Sequence, residues 1–189
     1  MATRRIEFKI NKQKVIEALV MLAARRPRID IFHVCKVFFY ADLDHLRRYG
    51  RPVLGDRYVA MDDGPVPSFT LSVVKHQMPF AGADWVQEFD RRIRVDDSDG
   101  YARLIAYTDV NKGLFSRTDF ECLDRAIETY ADMPFKRLWK RVHEEPAYKA
   151  AYREGTSTLI PVESLIPPEV PGRESIIEHL QETAHVTDI

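Results

Sequence analysis

The sequence predicts an α+β domain that is predominantly α-helical, with a central buried helix, surrounding helices and a small antiparallel β-sheet. Three observations carry this. Residues 31–49 hold an apolar arc too wide for a surface helix. The strand-like runs are short and confined to 57–61 and the region near 92–107. With 8 Gly and 11 Pro in 189 residues, 45% hydrophobic and 30% charged, the chain has globular composition, which excludes disordered and collagenous classes. No uninterrupted apolar run, Val37–Ala41 included, approaches the roughly 20 residues a membrane helix needs, so no membrane partner is expected. Met1–Arg5 leads into a charged amphipathic stretch without a hydrophobic signal region, and the expected location is the cytoplasm. Cys35 and Cys122 make no disulfide framework and cannot supply a zinc site by themselves.

Each element follows from local signals. Asn11 caps a helix over about 12–26, striped by Val15, Leu19 and Leu22 and by Ile16, Val20 and Ala23, and Pro27 closes it. Asp30 caps a second helix to Tyr49, and Gly50 suits its C′ position. At 100° per residue, Lys36, Arg47, Tyr40, His33, Asp44 and Arg48 fill about a third of its circumference and apolar residues fill the rest. Asp42 and His45 interrupt the apolar arc, three apart and so side by side. A strand over 57–61 and a turn at 62–65 come next, then a helix over about 67–77 opening at Pro67. Residues 78–90 show no period and contain Pro79 and Gly82, which predicts a loop anchored by Trp85 and Phe89. Runs 91–96 and 101–107 flank Asp97-Ser98-Asp99-Gly100 as a hairpin. Ser116 and Asp119 form a capping box for a helix to about Met133. Pro134 and Pro146 each start another. Four prolines in 156–172 predict a surface loop, and 174–182 a final amphipathic turn or two. The expected organisation is a domain over 1–155, with 156–189 as a proline-rich wrap and short helix packed upon it.

The net charge of −1 hides alternating blocks. Residues 1–51 carry +7, 52–133 −6, 134–153 +4 and 154–189 −6. Such blocks read as solvated faces that pair with each other in the fold.

Asp42 and His45 are the sharpest chemical constellation. A buried carboxylate needs partners, and the candidates are His45, Tyr58, Asp56 and the distant His143-Glu144. A hydrogen-bonded network fixing the helix against the strand and the His143 turn is the favoured reading. The alternative is a metal-dependent hydrolase centred on Asp42, His45 and His143, but D-x-x-H lacks the second His at i+4 or the CxxC of convincing zinc motifs. No catalytic residue, metal or cofactor is therefore assigned. Gly50, Gly55 and Gly64 are spaced as turn glycines, with no Walker lysine and no G-x-G-x-x-G. Cys35 reads as inert core, and His33 and His76 as exposed helix residues. Lys36, Tyr40, Arg47 and Arg48 make a modest nucleic-acid face, for which solvated surface is the better reading, so a nucleic-acid-binding regulator stays a lesser alternative.

The run Lys36-Val37-Phe38-Phe39-Tyr40-Ala41-Asp42-Leu43-Asp44-His45-Leu46 continues into Tyr49-Gly50-Arg51-Pro52, Gly55-Asp56-Arg57-Tyr58-Val59-Ala60 and Gly64-Pro65-Val66-Pro67-Ser68. In order and spacing it strongly resembles the Panacea domain of SocA-like antitoxins and phage-associated relatives. Leu114-Phe115-Ser116, Leu123, Tyr130, Leu138 and His143-Glu144-Glu145-Pro146-Ala147-Tyr148 resemble the same family's closing segment, so the likeness spans about 12–153. Phe38-Phe39 stands where an aliphatic pair is commoner, a matter of packing.

The resemblance implies a non-enzymatic antitoxin that neutralises a cognate toxin by direct protein contact. In one branch of the family the antitoxin instead delivers its toxin to a AAA+ protease. It also implies a shared framework of Asp42, His45, Gly50, Gly55, Asp56, Tyr58, Gly64, Pro65 and His143. Partner choice would then lie in member-specific surface, in residues 78–112 and the tail. Trp85 and Phe89 are the first candidate anchors there, with core cover as their alternative. The face of Lys36, Tyr40, Arg47 and Arg48 is the next.

Overall fold

The structure, a computed structural model, describes residues 6–186, with side chains described through Glu182. Met1–Arg5, on which the reading of the N-terminus rests, and the His185 side chain lie outside the described residues. Helix α1 (Lys12–Arg25) starts where Asn11 accepts the Lys14 N–H, and Arg26 ends it ahead of Pro27. Strand β1 (Ile29–Asp30) leads into α2 (Ile31–Tyr49), capped by Asp30 on the His33 N–H and closed by Gly50 in the left-handed region. These boundaries agree with the sequence reading within a residue.

Helix α2 is the axle of the fold, because its wide apolar arc serves two cores. Val34, Val37, Phe38 and Ala41 enter one core with α1, and Leu123, Ala126 and Ile127 of α6 (Arg117–Tyr130) enter it too. Phe39, Tyr40, Leu43 and Leu46 enter a second with Leu138 and Val142 of α7 (Phe135–Glu144) and Ala147, Tyr148 and Ala151 of α8 (Pro146–Ala151). Helix α6 opens on the capping box of Ser116 and Asp119, with both reciprocal bonds present.

Among the described residues, two three-stranded antiparallel sheets replace the one expected. Strand β2 (Tyr58–Met61) lies between β3 (Gly64–Pro67) and β6 (Thr158–Leu159), with Val59 opposite Val66 on one side and Leu159 on the other. Both edges of β2 are thus taken. The hairpin β4 (Ile93–Asp96) and β5 (Arg103–Ala106) pairs instead with β1, Leu104 standing opposite Val95 and Ile29. Pro65 and Pro67, read as turn and helix start, sit in β3, an outer strand where a missing N–H is tolerated. Helix α3 is correspondingly shorter, Ser68–Val74.

Residues 78–90 are helical, which corrects the loop reading. Helices α4 (Met78–Ala81) and α5 (Ala83–Asp90) are parted by Gly82 at φ 90°. Pro79 stands in the first turn of α4, where it is compatible with a helix. Trp85, Val86 and Phe89 follow helical spacing and face the first core. The proline-rich tail is likewise more ordered than a loop. It supplies β6, a 3₁₀ turn at Val162–Leu165, and α9 (Arg173–Val186), whose Leu180 enters the second core.

Candidate functional site

Where α2 meets the loop after it, Asp42 is 2% exposed and accepts three hydrogen bonds. Val53 N and Leu54 N donate to one oxygen at 2.8 Å each, and the Tyr58 hydroxyl donates to the other at 3.0 Å. Burial pushes the carboxyl up to about 7, against the lowering pull of those three donors. Asp42 therefore clasps loop 51–57 and strand β2 onto the helix. Asp56, offered as its partner, instead accepts from Phe69 N, Thr70 N and Thr70 Oγ1, satisfying the first turn of α3.

His45 turns away from Asp42. Its Nδ1 faces Arg51 O at 2.7 Å, and its Nε2 stands 3.0 Å from Thr118 Oγ1 and 3.3 Å from Asp119. Burial holds the imidazole below its usual value, and the Arg51 charge works in the same direction. Asp119 is the hub of this second group. One oxygen takes Lys14 Nζ and Ser116 N at 2.9 Å each, while Arg51 Nη1 stands 2.9 Å from the other. Burial would raise this carboxyl, yet Lys14, the Ser116 N–H and Arg51 hold it below the ordinary 3.8.

His143 belongs to a third group. It stacks on Trp139 at 3.6 Å and stands 2.9 Å from Asp62 O and 3.1 Å from the Tyr148 hydroxyl, which donates to Met61 O. Glu144 is exposed, its carboxylate 3.9 Å from Lys140. The single network expected of Asp42, His45, Asp56, Tyr58, His143 and Glu144 is therefore several, because backbone N–H groups and Asp119 take the places assigned to side chains. The hydrolase reading loses its geometry, since Asp42, His45 and His143 sit in separate groups. Among the described residues no group of three or more His, Cys, Asp or Glu stands ready to hold a metal ion.

The basic face of α2 is also corrected. Lys36 is only 1% exposed, and Tyr40 is buried. Arg47 donates to Leu165 O, and Arg48 pairs with Asp44 at 2.6 Å. Strand β3 and helix α7 pack where solvent was expected, and Gly64 makes the closure possible. Gly50, Gly55 and Gly64 all have positive φ. At Gly64 a Cβ would also come within 2.7 Å of Val142 and 3.1 Å of the Lys36 stem. His33, read as exposed, is half-buried and bonded to Asp30 and to Met133 O. Of the two anchor candidates, Phe89 is fully buried, and half-buried Trp85 stands edge-on to Phe69. Phe89 is therefore core, and Trp85 covers it.

Lys36 carries a stability prediction. Its ammonium donates to Pro65 O at 3.1 Å and sits 4.8 Å from the Phe32 ring, and among the described residues no carboxylate is within ion-pair distance. Burial pushes it down to about 8. Between pH 8 and 10.5 the unfolded chain holds a proton that the folded one has released, so stability rises with pH across that window. Lys36→Met is expected to stabilise by roughly 1–3 kcal/mol at pH 7 in urea titrations. The gain should shrink toward pH 10. A destabilised variant, or a constant difference, would contradict it.

Sequence reasoning missed Glu17, a buried carboxylate of α1. Arg92 donates to it, and the Asn111 N–H does so at 2.7 Å, tying the hairpin and the following loop to α1. The available signal was a charge beside the apolar stripe of α1 and an arginine pair before β4.

A family model described as Antitoxin SocA-like, Panacea domain matches residues 34–149, more than half of the chain. The chain belongs to that family. No curated protein and no solved structure matches it. The Panacea segment begins inside α2 and ends inside α8, so it contains Asp42, Asp56, His45, Asp119 and His143 with most of their partners. Lys14 and Glu17, on α1, lie before it. Among the described residues no helix is long and apolar enough to cross a membrane.

Proposed function

We propose that the chain is the antitoxin of a toxin–antitoxin pair, acting in the cytoplasm by direct binding to a cognate protein toxin. Membership of the SocA-like Panacea family over residues 34–149 carries the reading. The arrangement of polar side chains supports it. Asp42, Asp56, His45 and His143 hold loops and helix ends in place, so they act as framework. The outer surface offers contact groups instead: Phe80 at 76% exposure and Tyr101 at 66% in the 78–112 segment, with Phe135 and Trp139 on α7. They replace Phe89 as candidate anchors, since binding energy concentrates in a few aromatic or Arg side chains.

Co-expression with the product of the neighbouring reading frame tests the function. Growth should be rescued, and the two proteins should co-purify. Delivery to a AAA+ protease is a form of the same reading and is separated by the toxin's fate. Under blocking the toxin persists in the complex. Under delivery it disappears, and returns in a protease-deficient host. Phe80→Ala combined with Tyr101→Ala is expected to leave the melting temperature unchanged and weaken toxin binding by at least about 2 kcal/mol. Full rescue by that variant would move the interface elsewhere, and no rescue by the wild type with any neighbouring product would refute the function.

A further inference from the structure

Helices α2, α6 and the end of α7 enclose a cavity of about 200 Å³, room for several waters. Three arginines converge on it, Arg47, Arg125 and Arg141. Two carboxylates answer them. Arg125 pairs with Asp44, and Glu145 stands 3.8 Å from Arg47. Arg141 is left over: among the described residues it has no carboxylate within ion-pair distance. Its guanidinium lies over the rings of Tyr40 and Tyr130 at 5.7 and 5.4 Å, and those rings stack on each other at 4.1 Å.

Tyr40 supplies the second, independent observation. Its side chain lines the cavity and is only 6% exposed, and its hydroxyl makes no close hydrogen bond among the described residues, with the Glu145 carboxylate and the Arg141 guanidinium beside it. Buried hydroxyls are nearly always bonded, and one without a close partner at a cavity wall calls for an atom from the cavity, a water or a ligand group. Among the described residues the cavity thus presents one planar cation without a carboxylate and one O–H donor without a close acceptor. Asp44 is shared between Arg125 and Arg48, so the arginines around the cavity outnumber its two carboxylates and an anion balances them. Asp44 and Glu145 in the wall would repel a dianion. A carboxylate fits on charge, on planarity against the guanidinium fork, and on its capacity to accept from a hydroxyl.

The geometry points to this cavity as a carboxylate-binding site, closed by Arg141 and the Tyr40 hydroxyl, that takes an acidic side chain or the C-terminal carboxylate of the partner protein. The site itself stands on the cavity and its side chains, and assigning its ligand to the toxin rests on the antitoxin reading above. The partner's group enters as an anion and is bound as one, with no proton or bond exchanged.

Nuclear magnetic resonance titration of the purified chain tests it, following the Arg141 Nε–H and Tyr40 ring signals. The probes are a capped tripeptide with a central glutamate, an acetylated alanine tripeptide with a free C-terminus, its amide, and inorganic phosphate. The two carboxylates should give saturable shifts and the amide none, and the tighter carboxylate identifies the source. Arg141→Gln is expected to weaken binding at least about tenfold, the loss of a charge-assisted fork. Tyr40→Phe should weaken it less while keeping the melting temperature, because it removes a hydroxyl without a close hydrogen bond among the described residues. Absence of saturable shifts, shifts that survive Arg141→Gln, or tighter binding of phosphate would overturn the site. Loss of toxin binding by Arg141→Gln supports the toxin as ligand, and full retention overturns that assignment. If the wild type neutralises no neighbouring product, the antitoxin reading falls alone, because the peptide titration decides the cavity without a toxin.

Discussion

Asp119→Ala is expected to cost the fold roughly 3–5 kcal/mol, the loss typical of removing one partner from a buried charged group. Asp119 is 1% exposed and joins four parts of the chain: Lys14 from α1, His45 from α2, Arg51 from the loop after it and Ser116 at the start of α6. Alanine leaves Lys14 with little solvent to turn to, since its side chain is only 11% exposed, and opens the capping box at the start of α6. Surface pairs such as Arg117 with Glu121 offer the contrast, because exposed i,i+4 pairs contribute a few tenths of a kcal/mol at most. The pH dependence has a definite sign. The folded carboxyl lies below its unfolded value of 3.8, so its contribution is present above that pH and is lost as pH falls through the folded value. Urea titrations of wild type and Asp119→Asn should show the variant losing less stability than the wild type below pH 4. An alanine variant within 1 kcal/mol of wild type would mean that the hub is a bystander.

The capping box around Asp119 could be read from Ser116-Arg117-Thr118-Asp119, but the hub could not. Caps and helical stripes are local, which is why α1, α2 and α6 emerged from sequence with their ends nearly right. What joins Asp119 to Lys14 lies 105 positions away, and only the packing of α1 against α6 brings the two together. Strand partnership is non-local in the same way. The β2 run was visible, but whether its neighbour would be the hairpin or the tail was decided by β6, 100 residues later, a two-residue strand in a proline-rich stretch. The polar sector of α2 misled for a related reason. Lys36 and Tyr40 sit on the wheel beside Arg47 and Arg48, and a wheel assumes that polar positions face water. In the fold, Val142 of α7 and Gly64 of β3 close over Lys36, while Tyr130 stacks on Tyr40. Helices α4 and α5 were hidden by their shortness, four and eight residues, and by Pro79 and Gly82, which mark helix starts and breaks as readily as loops.

Asp42 shows the same limit most sharply, since its burial was legible and its partners were backbone. The expected loss for Asp42→Ala is on the order of 3 kcal/mol or more, because two N–H groups and the Tyr58 hydroxyl would be left buried without an acceptor. Asp42→Asn should behave quite differently. Its amide oxygen can accept from Val53 N and Leu54 N as the carboxylate does, and its NH₂ can donate to Tyr58 Oη, reversing that bond. It also removes a charge that burial disfavours, so it is expected to stay within about 1 kcal/mol of wild type at pH 7. The pH profile separates the two effects. Burial raises the folded carboxyl from 3.8 to about 7, so between these values the folded chain keeps a proton that the unfolded chain has lost. That contribution is fully present below pH 3.8 and fades as pH rises through 7, hence wild-type stability falls across the window relative to Asp42→Asn. Urea titrations at pH 5 and pH 8 should therefore find the asparagine variant gaining on the wild type with rising pH. An asparagine variant as unstable as alanine would show that the negative charge itself is needed. A difference independent of pH would show that Asp42 is ionised throughout, its three donors outweighing the burial.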